Sequence, residues 1–328
     1  KKILIKNAIK KNQKKYSKYY KYFFCLCILV KEYFNDKNFV LFSFQANIYA
    51  LILSYFLNFK ILSRSNSSPS GWNKNFFKNL IFKFFFKRAD CIIVNSKEFQ
   101  KEFKKKFKIN TNLIYNPLNK KEILKKSNFK IKNKIFKKGF LKIINIARFT
   151  DQKDHSTLIE AIKIISKKIR FELIIIGYGS NKLNIQNKIN KYKLKKNIRI
   201  INYKTNPFPY LKASELFILS SKYEGLPNVI LEAQTLKKYV ISTDCPTGPR
   251  EILLNGKIGS LFEVGDYKNL AKLIIQFKEN KKIFKKKSIC LFIRVFLLIL
   301  IKHLGFFFFF FVILLPNPAS LFIAFFFF

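Results

Sequence analysis

Residues 141–180 read LKIINIARFTDQKDHSTLIEAIKIISKKIRFELIIIGYGS, and their pattern decides the fold. The apolar run at 142–147 is short and rich in isoleucine, which predicts a buried strand. Across 155–168 the apolar residues recur at three- and four-residue spacing, which predicts a helix. A second apolar run at 171–177 ends on Gly177, with Gly179 two residues on. Strand, helix, strand with continuously apolar strands is the signature of a βαβ unit in a parallel sheet.

The same rhythm continues outward. A helix is expected over 181–192, strands over 198–202 and 215–220, a helix over 228–237 and a strand over 239–243. This series predicts a doubly wound α/β domain over 141–282, with its ligand at the carboxyl ends of the strands. Upstream, strands over 39–44, 60–63, 91–94 and 112–115, with helices over 75–88 and 96–107, predict another α/β domain over 1–117. Asn116-Pro117 closes it, and the Lys-rich stretch 118–140 reads as a linker.

The chemistry concentrates in Tyr223-Glu224-Gly225-Leu226-Pro227-Asn228-Val229-Ile230-Leu231-Glu232-Ala233. Glu224 falls on a loop after a strand and Glu232 in the helix that follows. The amides between them, at the helix N-terminus, suit a diphosphate, because unpaired N–H groups and the helix dipole favour anions. A carboxylate in the helix body can accept hydrogen bonds from ribose hydroxyls. On their own, two glutamates are better explained as surface charges, and their surroundings change that. Arg148 and Lys153 share the loop after the first strand, where a planar fork and a point charge could together meet an anionic group. Gly177 and Gly179 allow close backbone approach to a ligand, although turn geometry explains them equally well.

Glu224 to Glu232 resembles the E-x7-E signature of family 4 glycosyltransferases. Asn145-Ile146-Ala147-Arg148-Phe149 with Gln152-Lys153-Asp154-His155 resembles that family's donor-diphosphate segment, and Ile176-Gly177-Tyr178-Gly179-Ser180 its next Gly turn. The stretches at 242–252 and 255–266 resemble its later loops, in the same order. The resemblance implies a GT-B fold of two facing Rossmann-like domains and a retaining transferase of the kind that builds bacterial surface polysaccharide or lipopolysaccharide. It implies transfer of a hexose or N-acetylhexosamine from a nucleotide sugar, most naturally a UDP-sugar, to a polyprenyl-diphosphate-linked or cell-surface glycan. Glu224 would contact the transferred sugar, Glu232 the ribose, Arg148 and Lys153 the phosphates, and Gly225, Leu226, Pro227, Asn228 and Val229 would form the diphosphate turn. No Asp-x-Asp triplet is present, so transfer without a metal or other cofactor is expected. The family's early Gly-rich loop and its sugar-contacting histidine are missing from the N-terminal half, where Arg64 to Asn66 occupies the histidine's neighbourhood. The first domain is therefore expected to be truncated at its start.

Composition sets the alternatives. The formal charge of +46 would suit nucleic acid or an anionic membrane. However, Lys, Asn, Ile and Phe share A/T-rich codons, and neither a zinc finger nor an RNP-like aromatic motif is present, so no nucleic-acid partner is expected. The five cysteines lack paired spacing and neighbouring histidines, which fits a reduced compartment. A cytoplasmic position against the inner face of the membrane follows by resemblance. The Phe-rich segment 283–328 reads either as a reading-frame error or as a membrane anchor. A sugar-nucleotide epimerase, an inactive fragment and a basic nucleic-acid-binding protein are the competing readings.

Overall fold

The computed structural model describes residues 18–44, 47–66, 76–131, 135–284 and 320–324. The chain divides after Tyr115 into two compact units, with the strand at 320–324 belonging to the first.

The first unit runs α1 (Lys18–Asn35), β1 (Phe39–Ser43), α2 (Asn47–Leu57), β2 (Lys60–Ser65), α3 (Phe76–Phe86), β3 (Cys91–Val94), α4 (Lys97–Phe107) and β4 (Asn112–Leu113). Helix α4 shows how its sequence specifies it. Ser96 caps its start by accepting from the Phe99 N–H at 3.1 Å, Glu98 and Lys104 to Lys106 complement the helix dipole, and Lys108 closes it in the left-handed conformation. Phe99, Phe103 and Phe107 form one buried stripe against Phe86 and the sheet. Each such side chain contributes about 2–3 kcal/mol of burial.

The second unit begins with α5 (Lys120–Ser127), inside the stretch expected to be a linker. Asn119 caps this helix and Glu122 pairs with Lys126 at 2.5 Å. Only Ile123 and Ser127 are buried, so the helix carries little apolar signal. Then follow β5 (Leu141–Ile146), α6 (His155–Ile165), β6 (Phe171–Gly177), α7 (Lys182–Lys191), β7 (Ile198–Asn202), α8 (Phe208–Ala213), β8 (Leu216–Leu219), α9 (Asn228–Thr235), β9 (Tyr239–Thr243), α10 (Pro249–Ile252), β10 (Ser260–Phe262) and α11 (Tyr267–Glu279).

Its sheet is parallel in the order β10-β9-β8-β5-β6-β7. This is the doubly wound order 3-2-1-4-5-6 read from its far edge, so the chain reverses direction between β5 and β8. Asn145 ties that junction together, donating from Nδ2 to the Ile218 carbonyl at 2.9 Å. Strand β6 is buried at every position, including Glu172, whose carboxylate accepts the Lys137 N–H at 2.6 Å. Helices α6 and α11 close the core over β5, β6 and β9.

In the first unit β1 to β4 are parallel, and the strand β11 (Ser320–Ala324) pairs parallel with β1 in the order β11-β1-β2-β3-β4. The remaining Phe-rich residues, and with them the expectation of an anchor or a reading-frame error, lie outside the described residues. Among the described residues no helix is long and apolar enough to cross a membrane.

Candidate active site

The crevice at the carboxyl ends of β5 and β8 is where a doubly wound sheet receives its ligand. Two loops meet there. Residues 147–154 lead from β5 to α6, and residues 220–227 lead from β8 to α9.

The first loop is anchored at Phe149, which is fully buried. Its N–H donates to the Tyr178 carbonyl at 2.7 Å, and its carbonyl accepts from the Asn181 N–H at 3.0 Å. Gly177 and Gly179 make this contact possible. A Cβ at Gly177 would stand 1.9 Å from the Ala147 carbonyl oxygen, and one at Gly179 would stand 2.3 Å from that of Phe149. The atoms these glycines approach thus belong to the 147–154 loop itself, and the clamp leaves Arg148 exposed beyond β5.

Further along, the two loops are stitched together. The Lys222 N–H donates to the Gln152 carbonyl at 2.8 Å, Gln152 Nε2 to the Tyr223 carbonyl at 2.9 Å, and Ser220 Oγ to the Lys153 carbonyl at 2.9 Å. Lys153 Nζ then reaches Glu224 Oε1 at 2.5 Å, with both side chains largely buried. Two residues singled out separately in the sequence, on different loops, are thereby joined by a direct ion pair.

A third loop supports Glu224 from behind. Thr247 Oγ1 donates to the Glu224 carbonyl at 2.5 Å, the Glu224 N–H points to the Pro246 carbonyl at 3.4 Å, and Thr243 Oγ1 donates to the Ser221 carbonyl at 2.7 Å. Cys245 is buried beside it. Burial first, and then the charge of Glu224, push this thiol up to about 12, so it stays protonated. Gly248, at φ +89°, lies where a Cβ would be 2.0 Å from the Gly225 carbonyl oxygen. Thr247 and Gly248 fall within the 242–252 stretch that resembles a family loop, and their contact with the Glu224 turn is long-range. Gly248→Ala is expected to cost about 2 kcal/mol through strain at a positive φ, read as a lower urea midpoint.

Leu226 and Pro227 are buried, and α9 starts at Asn228 with no side chain capping its first turn. Asn116 reaches this turn, its Nδ2 lying 2.8 Å from Asn228 Oδ1 and 3.3 Å from the Leu226 carbonyl. Glu232 sits one turn into the helix, half-buried and without an ion pair or hydrogen bond from its carboxylate among the described residues. Burial pushes its pKa up. The structure joins Lys153 to Glu224 and places Arg148, Val229 and Glu232 on the flanking elements, with no hydrogen bond or ion pair from the side chains of Arg148 or Glu232 to that pair among the described residues. His155 is the first residue of α6 rather than a group of the Lys153–Glu224 contact. It lines a cavity of about 190 Å³ that also includes Thr150, Asn181, Lys188 and Lys222.

In the first unit, Arg64 is buried at the end of β2, its guanidinium over the Phe44 ring at 5.2 Å and near Asn66 Oδ1 at 3.4 Å. Burial lowers its pKa. Among the described residues no cluster of three or more His, Cys, Asp or Glu side chains could hold a metal ion.

Two parallel-sheet α/β units, the second with its strand reversal at the Lys153–Glu224 pair, define a protein of the GT-B glycosyltransferase fold. HepE of Anabaena, crystallised with UDP, superimposes with a TM-score of 0.64 at 16% identity over 80% of this chain and 75% of its own. Sucrose-phosphate synthase of Thermosynechococcus elongatus gives a TM-score of 0.68 at 16% identity over 88% and 78%. At these identities the likeness is one of fold. The family model described as glycosyl transferases group 1 matches residues 126–289, half of the chain, and the chain belongs to that family. Over 181 residues it is 41% identical to an uncharacterized glycosyltransferase of Methanocaldococcus jannaschii, a match covering 53% of this chain and 44% of the relative. It is also 26% identical over 256 residues to a Campylobacter jejuni enzyme named N-acetylgalactosamine-N,N'-diacetylbacillosaminyl-diphospho-undecaprenol 4-alpha-N-acetylgalactosaminyltransferase, covering 74% of this chain and 68% of that one. The chain thus spans less than half of the first of these relatives.

Proposed function

We propose that this chain transfers a hexose or N-acetylhexosamine from a UDP-sugar to a lipid-linked or cell-surface glycan, with retention of configuration and without a metal, as the family 4 resemblance implies. The observation that carries this reading is the buried Lys153–Glu224 pair at the β5/β8 crevice, on the loop that leads into the uncapped start of α9. Arg148, Lys153 and the first amides of α9 would neutralise the departing diphosphate. Glu224 would accept hydroxyls of the transferred sugar, and Glu232 those of the ribose. The departing phosphate oxygen would take the proton of the attacking acceptor hydroxyl, so no further base is needed. HepE was crystallised with UDP, which supports a nucleotide donor, and the C. jejuni relative is named for a diphospho-undecaprenol acceptor, which supports a lipid-linked glycan acceptor; the position at the cytoplasmic face of the membrane follows from the family 4 resemblance alone.

Isothermal titration with UDP, GDP and UDP-N-acetylglucosamine tests the donor site. Saturable binding of the uridine compounds is expected, and Glu232→Ala should weaken it by roughly ten- to a hundredfold, the worth of hydrogen bonds to a charged group. Without ligand, Glu232→Gln should match or exceed wild-type stability at pH 7. A carboxylate whose folded pKa is raised contributes stability that is fully present below its unfolded pKa and is lost as pH rises through the folded value. A folded protein that binds no nucleotide would refute the donor site.

A further inference from the structure

Helix α9 follows a proline at its cap position, so its first turn has no side-chain cap. Its first residue is Asn228, and an asparagine oxygen at a helix start readily accepts hydrogen bonds from first-turn N–H groups. Those are the N–H groups that a diphosphate at this turn needs. An Asn228 amide oxygen left to itself would therefore compete with the ligand.

A side chain from outside the motif holds that oxygen. Asn116 Nδ2 donates to Asn228 Oδ1 at 2.8 Å and to the Leu226 carbonyl at 3.3 Å, so its two N–H groups engage two electronegative oxygens of the turn. The donor is itself well placed. Asn116 opens the second unit, Pro117 restricts its backbone to extended conformations, and Asn119 caps α5, which packs against α9. We propose that Asn116 is a positioning residue of the donor site: it holds the Asn228 amide and the Leu226 carbonyl so that the first-turn N–H groups of α9 stay open to the diphosphate. This role rests on the donor reading above and adds to it a side chain 110 residues from the carbonyl it engages.

Isothermal titration of UDP into the full chain and its variants, with urea denaturation of the same preparations, tests it. Asn116→Ala is expected to weaken UDP binding roughly three- to tenfold, the range for a neutral hydrogen bond. Its urea midpoint should stay near wild type, because Asn116 is only half-buried and Asn228 is exposed. Asn116→Asp keeps the size and removes the donor, and should lose at least as much affinity. A double-mutant cycle separates positioning from a structural tie. In an Asn228→Ala background no amide oxygen is left to compete, so adding Asn116→Ala should change UDP affinity by no more than about twofold. An equal loss in both backgrounds would overturn the role, as would Asn116→Ala binding UDP like wild type; either result leaves the donor site standing. A midpoint lowered in both Asn116 variants together with UDP affinity would make the contact a structural tie and overturn the role as well. Wild type that folds and binds no UDP would remove the donor site and the role of Asn116 together.

Discussion

Replacing Lys153 with alanine should lower turnover by about a hundredfold or more, the usual effect of losing a group that stabilises a developing anion, and should destabilise the fold by about 3 kcal/mol. The two effects have different origins. The Lys153 ammonium sits 2.5 Å from Glu224 with little solvent contact, so its removal leaves a buried carboxylate without its counter-charge. Adding Glu224→Gln should therefore restore most of the stability, because the unpaired charge is gone, while turnover stays low. Arg148→Ala is the contrasting case. Its side chain is exposed and has no hydrogen bond or ion pair among the described residues, so stability should change by less than about 0.5 kcal/mol while turnover falls. Urea denaturation and release of UDP from a UDP-sugar measure both quantities. A Lys153→Ala protein of normal stability, or a double variant no more stable than the single one, would mean that the pair does not hold the crevice together.

How much of this could be read from sequence depended on range. The strands Cys91–Val94, Phe171–Gly177 and Tyr239–Thr243 run as expected from their apolar runs, because burial on both faces of a parallel strand writes itself into consecutive residues; the edge strand Ile198–Asn202 also runs as expected, from its isoleucines, although only Ile198 is buried. Helix α6 was legible from its spacing alone; that Asp154 caps it through the Thr157 N–H and hydroxyl is seen only in the structure. Helix α5 was not, since a charged eight-residue helix with a single buried isoleucine has the composition of a linker. Short β10 and the proline-flanked α8 gave equally little signal. Arg148, Lys153, Glu224 and Glu232 could be placed on loops and a helix from local pattern. That Lys153 meets Glu224, 71 residues apart in the chain, could not, because it depends on β8 pairing with β5. Gly177 illustrates the same limit. Its lack of a side chain was legible, whereas the atom requiring it, the Ala147 carbonyl oxygen, comes from the neighbouring loop.

Acid should loosen this crevice through His155. The ring is buried at the start of α6, edge-on to Phe149 at 5.4 Å, with Nε2 unpaired. Burial lowers its pKa from 6.5 to about 4; Asp154 opposes that shift and Lys153 adds to it. A histidine whose folded pKa is depressed contributes stability above its unfolded pKa and loses it as pH falls toward the folded value. The window therefore runs from pH 6.5 down to about 4, where the unfolded chain takes up a proton that the folded chain refuses. Linkage at 1.36 kcal/mol per pH unit gives about 3 kcal/mol across it. His155→Leu should be close to wild type in stability at pH 7 and should become the more stable protein by roughly that amount near pH 4. Denaturation midpoints taken at intervals between these values, as differences between the two proteins, cancel the carboxylates they share. Because Lys153 and His155 lie on either side of the Asp154 cap, UDP affinity should fall with wild-type stability over the same interval and hold better in the variant. Parallel pH curves for the two proteins would show that the ring is protonated in the folded state without penalty and that the crevice owes its acid response to other groups.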